Sequence, residues 1–215
     1  ATVATVSAAL ENKVKRFVYC TSMARYGGQT IPFHEEQTPA PVDPYGIAKV
    51  AGEQVLITLS EVHGMEWNIA VPHNIVGPRQ RYDDPFRNVM SIMINRNLQS
   101  NPSIIYGDGL QTRCFSYVDD CIQCLEKLTL DKTIINQIIN IGPDEGTITI
   151  KDLAKLVANK TGCNLDPIHV DDRPQEVKHA MCSANKARKL LNYETTTDLE
   201  TAVEHTVQYI KNRGT

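Results

Sequence analysis

Pro44-Tyr-Gly-Ile-Ala-Lys49 opens a stretch whose apolar residues recur with helical period to Val62, and Gly64 supplies the stop. Tyr45 and Lys49, four apart, share one face of that helix. Upstream, the apolar run Val14–Cys20 reads as a strand running into Thr21-Ser22, and three prolines within residues 38–44 predict a stiff loop bordering a ligand. A hydroxyl, a phenol and an ammonium thus meet between a strand end and a helix start. An ammonium beside a phenol favours the phenolate, which makes Tyr45 a candidate general base for a substrate hydroxyl. Ser22 can hydrogen-bond the same oxygen. Tyr-x-x-x-Lys alone recurs by chance in roughly every second chain of this composition. Its surroundings carry the weight.

The rest of the chain alternates in the same manner. Residues from Ala1 fall inside a helix that precedes the first strand. Trp67–Pro72 reads as a strand, Arg87–Leu98 as a helix, and Ser103–Tyr106 and Arg113–Val118 as extended segments. Asp119–Leu130 reads as a helix and Ile134–Ile141 as a strand ended by Gly142-Pro143. Thr149-Ile-Lys-Asp152 predicts a capping box opening a helix to Lys160, with Gly162 beyond its end. Ser183–Leu191 and Asp198–Lys211 predict two further helices, each led by an N-cap residue. Strands alternating with helices imply an α/β fold, a parallel sheet flanked by helices.

Composition narrows the function classes. With 215 residues, 41% of them hydrophobic, the chain can bury one large or two small cores. A net charge of −3 offers no basic footprint for nucleic acid. No run approaches the ~20 apolar residues of a membrane span. The six cysteines are scattered, and Cys121-Ile-Gln-Cys124 reads as a pair of core thiols in a reducing, cytoplasmic compartment. The histidines show no metal-ligand spacing, so no metal is expected.

Arg16-Phe-Val-Tyr-Cys-Thr-Ser22, Tyr26-Gly27 and Pro44-Tyr-x-x-x-Lys49 together resemble the extended short-chain dehydrogenase/reductase family, and within it the nucleotide-sugar 4-epimerases. The resemblance continues through Asn74-Ile-Val-Gly-Pro78, Gly107-Asp-Gly109, Arg113-Cys-Phe-Ser-Tyr-Val-Asp119, Asn140-Ile-Gly142 and Arg173-Pro-Gln-Glu176. It implies a partial Rossmann-type sheet with a smaller substrate-binding lobe. Residues 1–76 and 113–141 would complete the NAD-binding domain, and 77–112 with 142–215 would form the nucleotide-sugar lobe. Such enzymes open with a Gly-x-Gly-x-x-Gly turn for the cofactor pyrophosphate, and none occurs here. By resemblance roughly the first hundred residues of a family member are missing. The expectation is a fragment of a longer protein, with a truncated and inactive product as the alternative.

The resemblance also implies roles. Ser22, Tyr45 and Lys49 would be catalytic, with NAD as cofactor. Tyr45, Lys49, Pro72 and His73 would border NAD, although His73 equally fits a buried core histidine. Arg113 and Arg173 would clamp the diphosphate of a UDP-sugar, with Glu176 near the nucleoside ribose. Asn74, Asn88 and the Val89 backbone would contact diphosphate and uridine, and Tyr106 would lie near uracil. Hydride would pass from C4 of the sugar to NAD⁺ and return to the opposite face of a 4-keto sugar, giving the C4 epimer.

Three departures refine this. Met23-Ala24 stand where dehydratases place Asp-Glu, which argues against elimination of water. Cys114 replaces the Asp that usually follows the phosphate-binding Arg, removing an orienting partner. Ala180, small beside the C2 substituent, makes room for UDP-N-acetylhexosamine as well as UDP-glucose or UDP-galactose. A 4-reductase, a 5-epimerase/decarboxylase and an inactive binding fragment are the competing readings. A homodimer through the Tyr45 helix and the one before it is a further expectation.

Overall fold

The computed structural model describes residues 1–84 and 88–213. In chain order the elements are α1 (Thr2–Glu11), β1 (Arg16–Cys20), a 3-10 turn (Met23–Tyr26), α2 (Pro44–His63), β2 (Glu66–Pro72) and β3 (Ile75–Val76). There follow α3 (Val89–Leu98), β4 (Ile104–Tyr106), β5 (Thr112–Arg113), β6 (Ser116–Tyr117), α4 (Val118–Leu130) and β7 (Gln137–Ile141). The chain closes with β8 (Ile148–Thr149), α5 (Ile150–Thr161), β9 (Ile168–Val170), β10 (His179–Ala180), α6 (Asn185–Leu191) and α7 (Leu199–Arg213).

The central sheet is parallel, in the order β1-β2-β7. β2 is covered on both faces, which is why it reads as a near-continuous apolar run. Period-two alternation sorts its side chains. Ile69 and Val71 enter one cluster with Val6, Tyr26, Phe33 and Leu56, under α1 and α2. Ala70 enters another with Cys121, Cys124, Leu128, Ile139 and Ile141, under α4. Asn68 secures the second face: its amide nitrogen donates to the Leu128 and Ile134 carbonyls, each at 2.8 Å, while its oxygen accepts from Gln137 N. A third cluster joins α3, α5 and α7 through Met90, Ile94, Leu153, Val157, Val203 and Ile210.

The caps explain most boundaries. Asp43 accepts from Gly46 N at the start of α2, Pro44 fits the first turn, and Gly64 ends the helix in the left-handed region. Thr149 and Asp152 form the expected cap of α5, and Asp198 accepts from Thr201 N at α7.

Several expectations shift. Val14 is not strand: its N–H closes α1 onto Ala9 O after the Lys13 turn. The expected start of α3 at Arg87 lies outside the described residues, and Asn88 caps the helix through Met90 N. Arg113–Val118 is not one extended run. β5 pairs with β8 and β10, β6 pairs with β3, and the chain changes sheet across buried Cys114 and Phe115. Ile134 precedes β7 because Asn136 adopts a left-handed turn. The cap of α6 is Ala184, with Ser183 Oγ accepting from Asn185 N. Ala184, Ala187, Leu191 and Tyr193 pack with Ala70 and Ile139, so this part of 142–215 sits on the central sheet and not with the third cluster.

Candidate active site

The first turn of α2 meets the 3-10 turn at the carboxyl end of β1. Ser22 has extended backbone, caps the 3-10 turn and accepts from Ala24 N at 3.2 Å. Lys49 reaches back along α2, and its Nζ donates to the Cys20 carbonyl at 2.8 Å. That ammonium lies 5.7 Å from the Tyr45 ring centroid and 5.4 Å from that of Tyr19. Tyr45 is 58% exposed, so its hydroxyl is open to an incoming group.

Gly46 permits the close approach of helix and turn. A Cβ there would fall 2.8 Å from the Ala24 carbonyl oxygen and 2.9 Å from Pro41 Cβ. Gly46→Ala therefore destabilises the chain by about 1–3 kcal/mol, although alanine is the better helix former. Urea unfolding of the two proteins measures this. A variant as stable as the parent would show that the contact yields without cost.

Two adjoining cavities follow. One, of about 390 Å³, is lined by Asn74, Asn88, Val89, Tyr106, Gln111, Arg113, Arg173 and Glu176, among others. The other, of about 180 Å³, is lined by Ser22, Met23, Ala24, Gly27, Phe33, Val42, Asp43, Pro72, Val177 and Ala180, and shares Asn74 and Arg113 with the first. Ala180 lies on β10 beside Arg113 of β5. Arg113 sits between the cavities: its guanidinium donates to the Thr112 and Lys178 carbonyls and pairs with Glu176 at 3.3 Å. Burial pulls its pKa below the usual guanidinium range, and Glu176 opposes that shift. Glu176 thus provides the carboxylate that Cys114, a fully buried thiol, cannot. Arg173 stacks on Tyr106 at 3.8 Å from the ring centroid. The amide nitrogen of Asn74 is engaged by the Cys114 carbonyl, which turns the Asn74 oxygen to other partners.

Of the two placements open for His73, the structure has the buried one. The ring is fully enclosed, lines neither cavity, and its Nδ1 lies 3.1 Å from Cys182 Sγ.

Sequence reasoning missed the groups beneath the site. Glu53 on α2 accepts a short hydrogen bond from Thr21 Oγ and pairs with Arg25 at 3.1 Å, all three being almost wholly buried. The available signal was Tyr45, Lys49 and Glu53 at intervals of four.

Residues 1–142 match the model of the NAD dependent epimerase/dehydratase family. The chain belongs to that family. It is 27% identical over 208 residues to an uncharacterized UDP-glucose epimerase of Bacillus subtilis (strain 168), covering 96% of this chain and 64% of the relative. It is 28% identical over 201 residues to a UDP-glucuronate 4-epimerase of Thermodesulfobacterium geofontis (strain OPF15), covering 92% and 60%. The family fold extends along the whole chain. The crystal structure of UDP-glucuronic acid 4-epimerase from Bacillus cereus, in complex with UDP-glucuronic acid and NAD, matches with a TM-score of 0.90 at 30% identity, over 99% of this chain and 66% of that one. UDP-glucose 4-epimerase of Thermotoga maritima with UDP-glucose gives 0.89 at 28% identity, over 99% and 68%. The chain therefore spans less than two thirds of the length of these curated relatives. Among the described residues no helix is long and apolar enough to cross a membrane.

Proposed function

We propose that this chain carries the proton-transfer and nucleotide-sugar side of an NAD-dependent 4-epimerase acting on a UDP-hexose or UDP-N-acetylhexosamine. The observation that carries the reading is the convergence of Asn74, Asn88, Val89, Tyr106, Arg113, Arg173 and Glu176 on one cavity that adjoins Ser22. Two arginines suit a diphosphate, an aromatic face suits a base, and a carboxylate suits ribose hydroxyls. The apolar lining contributed by Met23, Val42, Val177 and Ala180 suits a neutral sugar with an N-acetyl group.

The residues present fit one end of NAD. Lys49 spends only part of its donor capacity on Cys20, so it can also hold nicotinamide-ribose hydroxyls, with Tyr45 and Pro72 beside the ring. No Gly-x-Gly-x-x-Gly turn for the pyrophosphate lies within these 215 residues. When bound there, NAD⁺ would supply the reversible hydride acceptor that C4 oxidation needs. Tyr45 Oη, on the α2 face it shares with Lys49, takes the proton of the 4-hydroxyl and later restores it. Ser22 Oγ steadies that oxygen. Arg113 and Arg173 hold the diphosphate while the sugar turns over. A homodimer through α1 and α2 and a cytoplasmic location belong to the same proposal, supported by exposed Val3, Ile47 and Val62 and by six free thiols.

Incubation with NAD⁺ and UDP-N-acetylglucosamine or UDP-glucose, followed by separation of products, tests the reading. The expected product is an isomer of equal mass with NAD recovered unchanged. Net conversion of NAD⁺ to NADH would identify a reductase run in reverse, a lighter product in a parallel incubation with UDP-glucuronic acid would identify a decarboxylase, and UDP binding without turnover would leave a binding fragment.

A further inference from the structure

The Tyr45 helix is attached to the Ser22 turn by a polar ladder whose Thr21, Arg25 and Glu53 members are buried. Along one face of α2, Lys49 Nζ donates to the Cys20 carbonyl, Glu53 accepts from Thr21 Oγ, and Glu53 pairs with Arg25 Nη2 at 3.1 Å. The attachment points Cys20, Thr21 and Arg25 bracket Ser22 on both sides. The ladder then continues away from the helix. Arg25 Nη1 donates to Tyr26 Oη at 3.2 Å, Tyr26 Oη donates to Asn140 Oδ1 at 2.7 Å, and Asn140 Nδ2 donates to the carbonyl of Phe33, a residue lining the sugar-side cavity.

Stability alone gives no reason to keep this ion pair. Taking both charges out of water costs about as much as their attraction returns, and well-packed apolar side chains of similar volume are often as stable. A buried pair does differ from an apolar contact in direction: it fixes one distance and one orientation between the elements that carry it. Here those elements are the helix with Tyr45 and Lys49 and the turn with Ser22.

We infer that Glu53, held by Arg25 and Thr21, is a positioning residue that sets the depth and rotation of α2 against the Ser22 turn, and so the geometry of proton transfer at the sugar hydroxyl. The inference rests on the 4-epimerase reading for its catalytic consequence, and on the ladder alone for its structural one.

The test compares the parent with Arg25→Met/Glu53→Leu, which removes both charges together and leaves neither unpaired. A milder variant, Thr21→Val, deletes one hydroxyl at constant shape and covers the case in which the double variant does not fold. Three quantities are read: UDP affinity, kcat and KM with NAD⁺ and UDP-sugar, and NMR signals of the Ser22 and Ala24 amides and the Lys49 ammonium. The double variant is expected to keep UDP affinity and KM while kcat falls about 100-fold, the usual consequence of misplacing a reacting group by an ångström. Thr21→Val is expected to lose about 10-fold, with the three NMR signals displaced in both variants. Undisplaced signals in a folded variant, or parent kcat, would overturn the inference. If the parent shows no turnover, it is the reading of this chain as an active 4-epimerase that has failed, UDP binding would leave the binding fragment, and the NMR signals alone decide the positioning role.

Discussion

On the proposed 4-epimerase reading, Tyr45→Phe is expected to lower kcat for sugar interconversion by about 10²- to 10⁴-fold in the NAD-supplied protein, leaving UDP affinity and stability as they were. The size follows from the role: a positioned base that takes a proton in the transition state contributes in that range, and phenylalanine has no proton acceptor. The specificity follows from the location. Tyr45 is more than half exposed on the first turn of α2, and among the described residues its hydroxyl makes no hydrogen bond. Deleting that oxygen removes neither core packing nor a buried polar contact. The residue also lies outside the cavity formed by Tyr106, Arg113 and Arg173, so nucleotide binding is a built-in control. Steady-state kinetics with calorimetric titration of UDP measures both arms. Parent-level turnover by the variant would remove Tyr45 from the chemistry, and a parallel loss of UDP affinity would point to misfolding.

The second large effect is loss of stability in mild acid through His73. Burial, then the charge of Arg113, pushes its pKa down to about 3, with only the Ala180 backbone pulling the other way. In the unfolded chain the imidazole titrates near 6.5. Because the folded value is depressed, protons bind the unfolded state preferentially. The contribution of neutral His73 is thus complete above about pH 6.5 and declines as pH falls toward 3. The limiting slope is about 1.4 kcal/mol per pH unit and is only half that at pH 6.5, so the loss between pH 6.5 and 4.5 is on the order of 2 kcal/mol. Glu53 acts in the opposite sense. Burial raises its pKa, so its contribution is present at low pH and lost as pH rises through the folded value. The difference between parent and His73→Gln cancels that opposing term. Urea midpoints for both proteins across this pH range give the result. Equal slopes would mean that the folded protein accommodates the imidazolium, in conflict with a ring fully enclosed beside Cys182.

Legibility followed the range of the interactions. Element types were readable where the signal lies within a few residues, as at the Asp43 cap and Gly64 stop of α2 or the Thr149–Asp152 cap of α5. They were not readable where pairing with a distant strand decides. β3, β8, β9 and β10 have two or three residues each, too few to show a period, and exist because β6, β5 and β4 lie beside them. The split of Arg113–Val118 is of the same kind. Nothing local marks Cys114-Phe115 as the crossing from one sheet to another; the crossing is set by what β5 and β6 each pair with.

The amino-acid sequence by itself determined the α/β alternation, the order of the elements and the set of candidate groups, with Ser22 just past a strand end and Tyr45 and Lys49 on one face at the start of the next helix. Those are consequences of helical and strand period, caps and short spacings. Tertiary structure alone decided which charges are buried. Nothing local marks Glu53 and Arg25 for burial, yet they are enclosed as a pair where α2 packs on the Ser22 turn through Gly46. It also decided that Arg113 is partnered by Glu176, that His73 faces the core, and that Asn74 and Glu176 line one cavity. Burial and ion pairing depend on distances between residues far apart in the chain, and those distances exist only once the core has packed.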